Sequence, residues 1–370
     1  MSVVDLKILK KEAIQLLIKM INTPSISKQE KKVSFLIEDY LSRYGFHIKR
    51  KFNNIWTENT NYDAKKENIR TILLNSHHDT VKPGKNWKTN PFTAIRQGDK
   101  LIGLGSNDAG ASVVSLISTF IYLNSLSVLP YKLVLALTAE EEISGPLGVR
   151  SILSELGEID LGIIGEPTKM QVAIAEKGLV VLDCLAEGKT GHSARYIGVN
   201  AIYIATKDIE CLRNLQFDRK SKFLGYPTLT VTQIQGGIQH NVIPDSCSFV
   251  IDIRTNELYK NEELIEMIRK KIHSKMKPRS SHSNYSFINP SHPIVSKAKF
   301  IGRKIYGSPT LSDQSIMSFP TIKMGVGDSN RSHTTNEYIH IYEILDGIDI
   351  YIRLLKDFNF KTKKVNLFSL

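Results

Sequence analysis

Four apolar runs in this chain end on side chains that can bind a metal ion. "TILLNSHHD" ends with His77 and Asp79, "LVLALTAEEE" with Glu140, Glu141 and Glu142, "LGIIGEPT" with Glu166, and "TIKMGVGDSNRSH" with His333. A fifth candidate, Asp108, lies in the glycine-rich turn "GLGSNDAG", just ahead of a long apolar stretch. Taken singly, each has a bland explanation. An H-x-D is most often a polar turn, three glutamates a solvated loop, and "GEP" a bend. The Gly103 and Gly105 pair lacks both the G-x-G-x-x-G pattern and the lysine of a phosphate loop. Together they are two histidines and at least three carboxylates at strand ends, where open α/β sheets place their ligands. A metal site accounts for that coincidence, and separate turns do not.

Imidazole plus carboxylate suits zinc, with cobalt or manganese as workable substitutes. One carboxylate shared by two ions would leave each with three protein ligands and an open position. Two such ions, roughly 3.5–4 Å apart, can hold a hydroxide between them and polarise a carbonyl. In an extended segment neighbouring side chains point opposite ways, so one of the consecutive glutamates can bind metal while the next faces the water as general base.

The elements that must position these residues follow an α/β pattern. "TILLN" (71–75), "YKLVLALTA" (131–139), "DLGIIG" (160–165) and "TIKMGVG" (321–327) read as buried strands, and "GASVVSLISTFIYLNSL" (110–126) as a buried helix. Such alternation predicts a mostly parallel sheet covered by helices. From about residue 177 the order changes. "LVVLDCLAEG" is strand-like, "NAIYIATKDIECLRNL" helical, "TLTVTQIQGG" and "CSFVIDIRT" strand-like, "NEELIEMIRKKIHSKM" helical and "NYSFIN" a short strand. That β-α-β-β-α-β series predicts an inserted ferredoxin-like domain at 177–288, within a discontinuous catalytic domain at 1–176 and 289–370.

Composition narrows the field. The chain has 370 residues, 41% hydrophobic content and a formal charge of +12. The lysines are scattered and no nucleic-acid motif accompanies them, so the charge reads as coding bias and no nucleic-acid partner is expected. The N-terminal stretch is interrupted by Asp5, Lys7, Lys10, Lys11 and Glu12. It therefore lacks a signal-peptide core, and no run approaches the about 20 residues of a membrane span. Leu6, Leu9, Ala13, Leu16, Leu17 and Met20 recur at helical spacing. Cys184, Cys211 and Cys247 form no C-x-x-C pair and read as small core residues of a soluble, reduced, cytoplasmic protein.

These motifs resemble the co-catalytic zinc aminoacylases and exopeptidases, a group that includes acetylornithine deacetylase and succinyl-diaminopimelate desuccinylase. The resemblance runs from "INTPSIS" to "SHTTNEYI" and rests on "SHHDTV", "GLGSNDAG", "TAEEEISG", "IIGEPT", "GKTGHSA", "NVIPD" with "DIR", and "RSHTTNE". It implies that His77, Asp108 and Glu166 hold one zinc ion and that Asp108, Glu142 and His333 hold the other, with Asp108 bridging. It implies Glu141 as general base and Asp79 as the acid that orients His77, leaving His78 a bystander. In the inserted lid and dimerisation domain it implies His192 as an oxyanion stabiliser, reaching the partner's site in dimeric members. Arg254 is implied as the captor of a substrate carboxylate, with Asn241 beside it. From the residues alone, Arg254 also reads as half of a strand-end salt bridge.

Three departures from the family pattern are Ser76 in place of a common glycine, Glu140 in place of aspartate, and no proline after "GHSA". None removes a ligand or the base. The tail "GVGDSNRSHTTNEYI", with "SDQ" at 312–314, resembles most the acetylornithine and acetylcitrulline deacetylase branch. The expected activity is therefore hydrolysis of an N-acyl amino acid, a small-molecule substrate of arginine biosynthesis, by a cytoplasmic homodimer. A desuccinylase or a dipeptidase of the same family is the alternative, and a basic nucleic-acid-binding protein the remote one.

Overall fold

The computed structural model describes residues 3–63, 68–195 and 197–360. The chain forms two compact units, one comprising Met1–Ile174, Ile288–Tyr306 and Ser312–Leu370, the other Ala175–Phe287 and Gly307–Leu311.

The first unit is built on a twisted sheet in the order Lys49–Lys51, Asn54–Glu58, Lys132–Thr138, Thr71–His77, Leu161–Ile164, Thr321–Lys323, Val172–Glu176. The last of these strands runs on into the second unit. The central four are mutually parallel and the outer ones antiparallel. A parallel core is buried on both faces, which explains why its strands read as unbroken apolar runs. It also brings four strand ends to one edge of the sheet; three lead directly into His77, Glu140–Glu142 and Glu166, while the fourth, ending at Lys323, reaches His333 only past the turn Ser329–Arg331.

Helices Leu6–Ile21, Ala111–Asn124 and Ile341–Leu355 pack on one another over the sheet. The first buries Leu9, Ala13, Leu16, Leu17 and Met20, as its spacing predicts, while Leu6 in its first turn is only half-buried, and the Asp5 carboxylate caps it by accepting the Lys7 N–H at 2.8 Å. The second is buried on nearly every side. Its Ser115 and Ser118 hydroxyls donate to carbonyls four residues back, at 2.7 and 2.9 Å, so neither carries an unmet hydrogen bond into the core.

The second unit has the ferredoxin-like order, with a four-stranded antiparallel sheet arranged Thr228–Gly236, Ser246–Thr255, Gly178–Glu187, Lys275–Ser283. Helices Ala201–Arg213 and Asn261–Arg269 cover it. The fourth strand differs from the sequence expectation. The helix stops at Arg269, and "KMKPRSSHS" supplies the strand, while "NYSFIN" contributes only the two-residue Ser286–Phe287. Pro278 and the flanking cations disguise this segment, but an edge strand tolerates a residue with no N–H to donate. Cys184 and Cys247 lie in the core of this unit, whereas Cys211 is only half-buried; all three are free. Among the described residues no helix is long and apolar enough to cross a membrane.

Candidate metal centre

His77 closes its strand almost wholly buried, 1% exposed. Its Nδ1–H donates to the Asp79 carbonyl at 3.1 Å, and the Asp79 carboxylate stands 3.4 Å from the same nitrogen. This leaves Nε2 facing acids, with Asp108 Oδ1 at 3.2 Å, Glu166 Oε1 at 3.7 Å and Glu141 Oε2 at 3.8 Å. Glu142 belongs to the same cluster, in one group with His77 and Asp108, while Glu141 and Glu166 form a second group with His77. His333 closes the other side, with Nε2 at 2.8 Å from Glu142 Oε2 and 3.6 Å from Asp108 Oδ2. Asp108 thus points one oxygen toward each imidazole.

Carboxylates packed this tightly cannot all ionise unless something positive lies among them. Burial, and then the neighbouring acids Glu166 and Asp313, hold Glu141 well above the usual carboxyl range against the pull of His77. Glu166 is pushed up to about 8, chiefly by burial. Burial alone would discharge His77, yet Glu141, Asp108 and Asp79 raise its proton affinity well above the ordinary value. A lone pair on Nε2 aimed at three carboxylates calls for a cation, either a proton or a metal. Imidazole and carboxylate donors on both sides of one shared carboxylate fit a pair of divalent ions.

The local backbone explains how these side chains are held. Glu141 and Glu142 lie in a single 3₁₀ turn, Glu141–Ile143, rather than the extended segment that sequence suggested. Three residues per turn splay neighbours by about 120°, so one acid still faces the His77 side and the next the His333 side. Glu140 and Ser144, at φ 56° and 47°, bracket the turn in left-handed conformations, and His333 is left-handed too, at φ 59°. Such geometry costs about 1–3 kcal/mol per residue and persists where surrounding contacts enforce it.

Two buried carboxylates do the enforcing. Asp79 accepts the amides of Glu141 and Glu142 at 3.1 and 3.2 Å and the Ser27 hydroxyl at 2.7 Å, so one side chain both orients His77 and pins the acid turn. Glu337 accepts three amides of the Asp108 turn, from Gly105, Asn107 and Asp108, at 3.1, 2.8 and 2.9 Å. Glu337 closes the motif "RSHTTNE", and its place just before the strand Tyr338–His340 is the one sign of its role that the sequence carries. Glu30, fully buried, accepts the Glu140 amide at 3.3 Å and the Asn53 side chain at 2.8 Å, and no motif announced it. Ser76, the departure from glycine, donates to the Gly165 carbonyl at 2.7 Å and ties the His77 strand to the Glu166 loop. His78 is buried, pushed down to about 4 by desolvation, and joins neither ligand group.

The remaining candidates lie in the second unit. His192 is exposed on a two-residue ribbon paired with Val242–Ile243, and the Ser193 amide donates to the Asn241 carbonyl at 3.2 Å, so His192 and Asn241 are neighbours. The Asn241 side-chain oxygen is shielded and has no hydrogen-bond partner among the described residues. Arg254 is engaged with Asp252 through two hydrogen bonds, at 2.9 and 3.0 Å, the strand-end salt bridge that sequence left open.

Comparison with known proteins agrees with the motifs. Residues 174–285 match the peptidase dimerisation domain. The chain is 27% identical over 366 residues to a succinyl-diaminopimelate desuccinylase of Buchnera aphidicola (subsp. Cinara cedri), covering 91% of this chain and 96% of that one. It is 29% identical over 308 residues to an acetylornithine deacetylase of Buchnera aphidicola (subsp. Schizaphis graminum), covering 78% and 80%. The fold resembles that of a dinuclear metal-binding peptidase of the M20 family from Bacillus subtilis, with a TM-score of 0.70 at 16% identity over 94% of this chain and 98% of that one. The chain is thus similar to M20 metallohydrolases over most of its length, and its residues 174–285 match their peptidase dimerisation domain.

Proposed function

We propose that the protein is a two-metal amidohydrolase that removes the acyl group from an N-acyl amino acid, with N-acetylornithine or N-acetylcitrulline of arginine biosynthesis as the first candidates. The observation that carries the reading is the Asp108 carboxylate, with Oδ1 3.2 Å from the His77 ring and Oδ2 3.6 Å from the His333 ring. His77, Asp108 and Glu166 would hold one ion and Asp108, Glu142 and His333 the other, zinc being the expected metal and cobalt or manganese workable substitutes. When bound, the pair supplies an acidified water and polarises the scissile carbonyl.

Glu141 takes the proton of the attacking water and delivers it to the leaving nitrogen. Water is thereby split across the amide, giving a carboxylate and a free amine. Its raised proton affinity suits a group that must accept a proton and keep it until the C–N bond breaks. Asp79 keeps the His77 ring turned and the acid turn fixed. In the second unit Arg254 would receive the substrate carboxylate beside Asn241, and His192 would stabilise the oxyanion, across the interface of a homodimer. The matched dimerisation domain and the edge strand Thr228–Gly236, with Ile234 56% exposed, support such a dimer. A cytoplasmic location belongs to the same reading and is supported by the three free cysteines.

The second reading is desuccinylation, favoured by the desuccinylase relatives that match over nine-tenths of the chain. One experiment separates the readings: hydrolysis of acetylornithine, acetylcitrulline, succinyl-diaminopimelate and a dipeptide side by side, with metal content measured on the same sample. Turnover of an acetyl substrate supports the first reading. Two bound metals with turnover of the succinyl compound or the dipeptide alone would overturn it.

A further inference from the structure

The first unit holds a cleft of about 390 Å³ that the proposed chemistry does not use. Its walls are the turn at Lys169 and Met170, the segment Val326–Arg331, Arg303, and one face of the helix Ile341–Leu355. Three cations and three anions line it, and two pairs are already satisfied. Lys169 meets Asp328 at 2.8 Å, and Arg331 meets Glu343 through two bonds of 2.6 and 3.0 Å.

One charge of each sign is left over. Among the described residues Arg303 Nε is shielded from solvent and has no hydrogen-bond partner, and the exposed Asp346 makes no ion pair. A shielded guanidinium N–H left unpaired is costly, and its natural acceptor is a carboxylate. Glu343, Asp346 and Ile350 share one helix face by their three- and four-residue spacing, which places the free carboxylate beside an apolar side chain. Behind it Met170 and Val326 are buried, 5% and 0% exposed, so the apolar surface open to a ligand is chiefly that of Ile350. Gly347 lets the helix approach Val326 so closely that an added Cβ would stand 2.2 Å from its methyl, so the cleft is closed at the back.

We propose that this cleft binds a free α-amino acid with an apolar side chain, its carboxylate on Arg303, its ammonium on Asp346 and its side chain over Ile350. The volume lies in the range of small-ligand sites. A simple anion would leave Asp346 unanswered, and an amine would leave Arg303 so. The two loops that wall the cleft run on into Glu166 and His333, so a ligand here is placed to steady both. The inference does not depend on the hydrolytic reading.

The test is calorimetric titration of the metal-loaded protein with L-methionine, with methioninamide, which lacks the carboxylate, and with 4-(methylthio)butanoate, which lacks the ammonium. L-methionine should bind saturably, and each truncated analogue should bind about tenfold more weakly or less. Arg303→Met and Asp346→Asn should each reduce L-methionine affinity about tenfold while leaving metal content and acyl-substrate turnover unchanged. Asp346 is exposed and its replacement isosteric, so it reports even where the Arg303 variant folds poorly. Absence of L-methionine binding, or binding that survives both substitutions, would overturn the proposal.

Discussion

The two units treat their candidate functional groups in opposite ways. In the first, His77 and Asp108 are buried, Glu141, Glu142 and Glu166 are largely covered, His333 is 55% exposed, and the turns that carry the acids are held by other carboxylates. Asp79 secures the Glu141–Glu142 turn and Glu337 the Asp108 turn. In the second, His192 is exposed on a short ribbon and Arg254 is already neutralised by Asp252. The contrast teaches where pre-organisation is spent. Groups that face developing charge gain from being fixed before the reaction, whereas groups that recognise a variable substrate can exchange one partner for another. Substitutions should therefore have steep effects in the first unit and a shallow one at Arg254 in the second, while His192, proposed to face the oxyanion, belongs with the steep group despite its exposure.

Glu141→Ala is the steepest break. Loss of a general acid–base group costs about 10²–10⁴-fold in kcat. Metal content, measured by mass spectrometry of the dialysed protein, should stay at the wild-type level. That second reading matters, because Glu141 also sits in one of the two groups that include His77. A variant that lost metal along with rate would make Glu141 a ligand and move the base elsewhere.

Glu337→Ala comes next and acts through stability. It strips the acceptor from three buried amides, each worth about 1–3 kcal/mol when left unpaired. Urea unfolding should show a loss of several kcal/mol, and cobalt-loaded protein should show a changed absorption spectrum as Asp108 shifts. Glu337→Gln keeps a carbonyl oxygen and should recover part of both. Equal damage from the two variants would mean that the charge, and not the acceptor, holds the turn. Asp79→Asn is milder, since replacing the partner of a ligating imidazole typically costs about 10–100-fold in metal affinity.

The same contrast governs what could be read in advance. Strand ends on a parallel sheet are legible because burial makes the strands continuous and function makes their last residues polar; His77, Glu166 and His333 stand out for that reason. The supports do not. Glu30 and Glu337 look like surface acids in sequence, and only the fold turns them toward backbone amides. The acid turn was legible in its residues but not in its shape, because a left-handed Glu140 and Ser144 break no rule visible in "TAEEEISG". The strand at 275–283 was hidden by Pro278, which reads as a breaker until its edge position is known.

Removing metal should expose the repulsion that the first unit stores. The hydrogen bond to Glu142 raises His333 to about 9, and burial raises Glu166 to about 8. Both groups hold protons more tightly folded than unfolded. For His333 the resulting stabilisation is complete below its ordinary value of 6.5 and is lost as pH rises through about 9. For Glu166 stability falls between its ordinary 4.5 and about 8. The metal-free protein should therefore melt at progressively lower temperature from pH 6.5 to 9. Metal binding is favoured by the deprotonated ligands, so the gap between loaded and chelated protein should widen over the same range. A gap that narrows as pH rises would argue against these side chains as ligands.

The smallest expected effect belongs to Arg254. Losing a charge-assisted contact to a substrate carboxylate is worth about 1.5–3 kcal/mol, but Arg254 must first give up part of its pairing with Asp252, which offsets some of that gain. Arg254→Ala should thus raise KM by about tenfold with kcat little changed, the pattern of an interaction made equally in ground and transition states. Asp252→Asn sharpens the point, because it frees the guanidinium without removing it. If Arg254 captures the carboxylate, that variant should hold KM at or below the wild-type value. If the pair only braces the strand Ser246–Thr255, both substitutions should lower thermal stability alike and leave KM where it was.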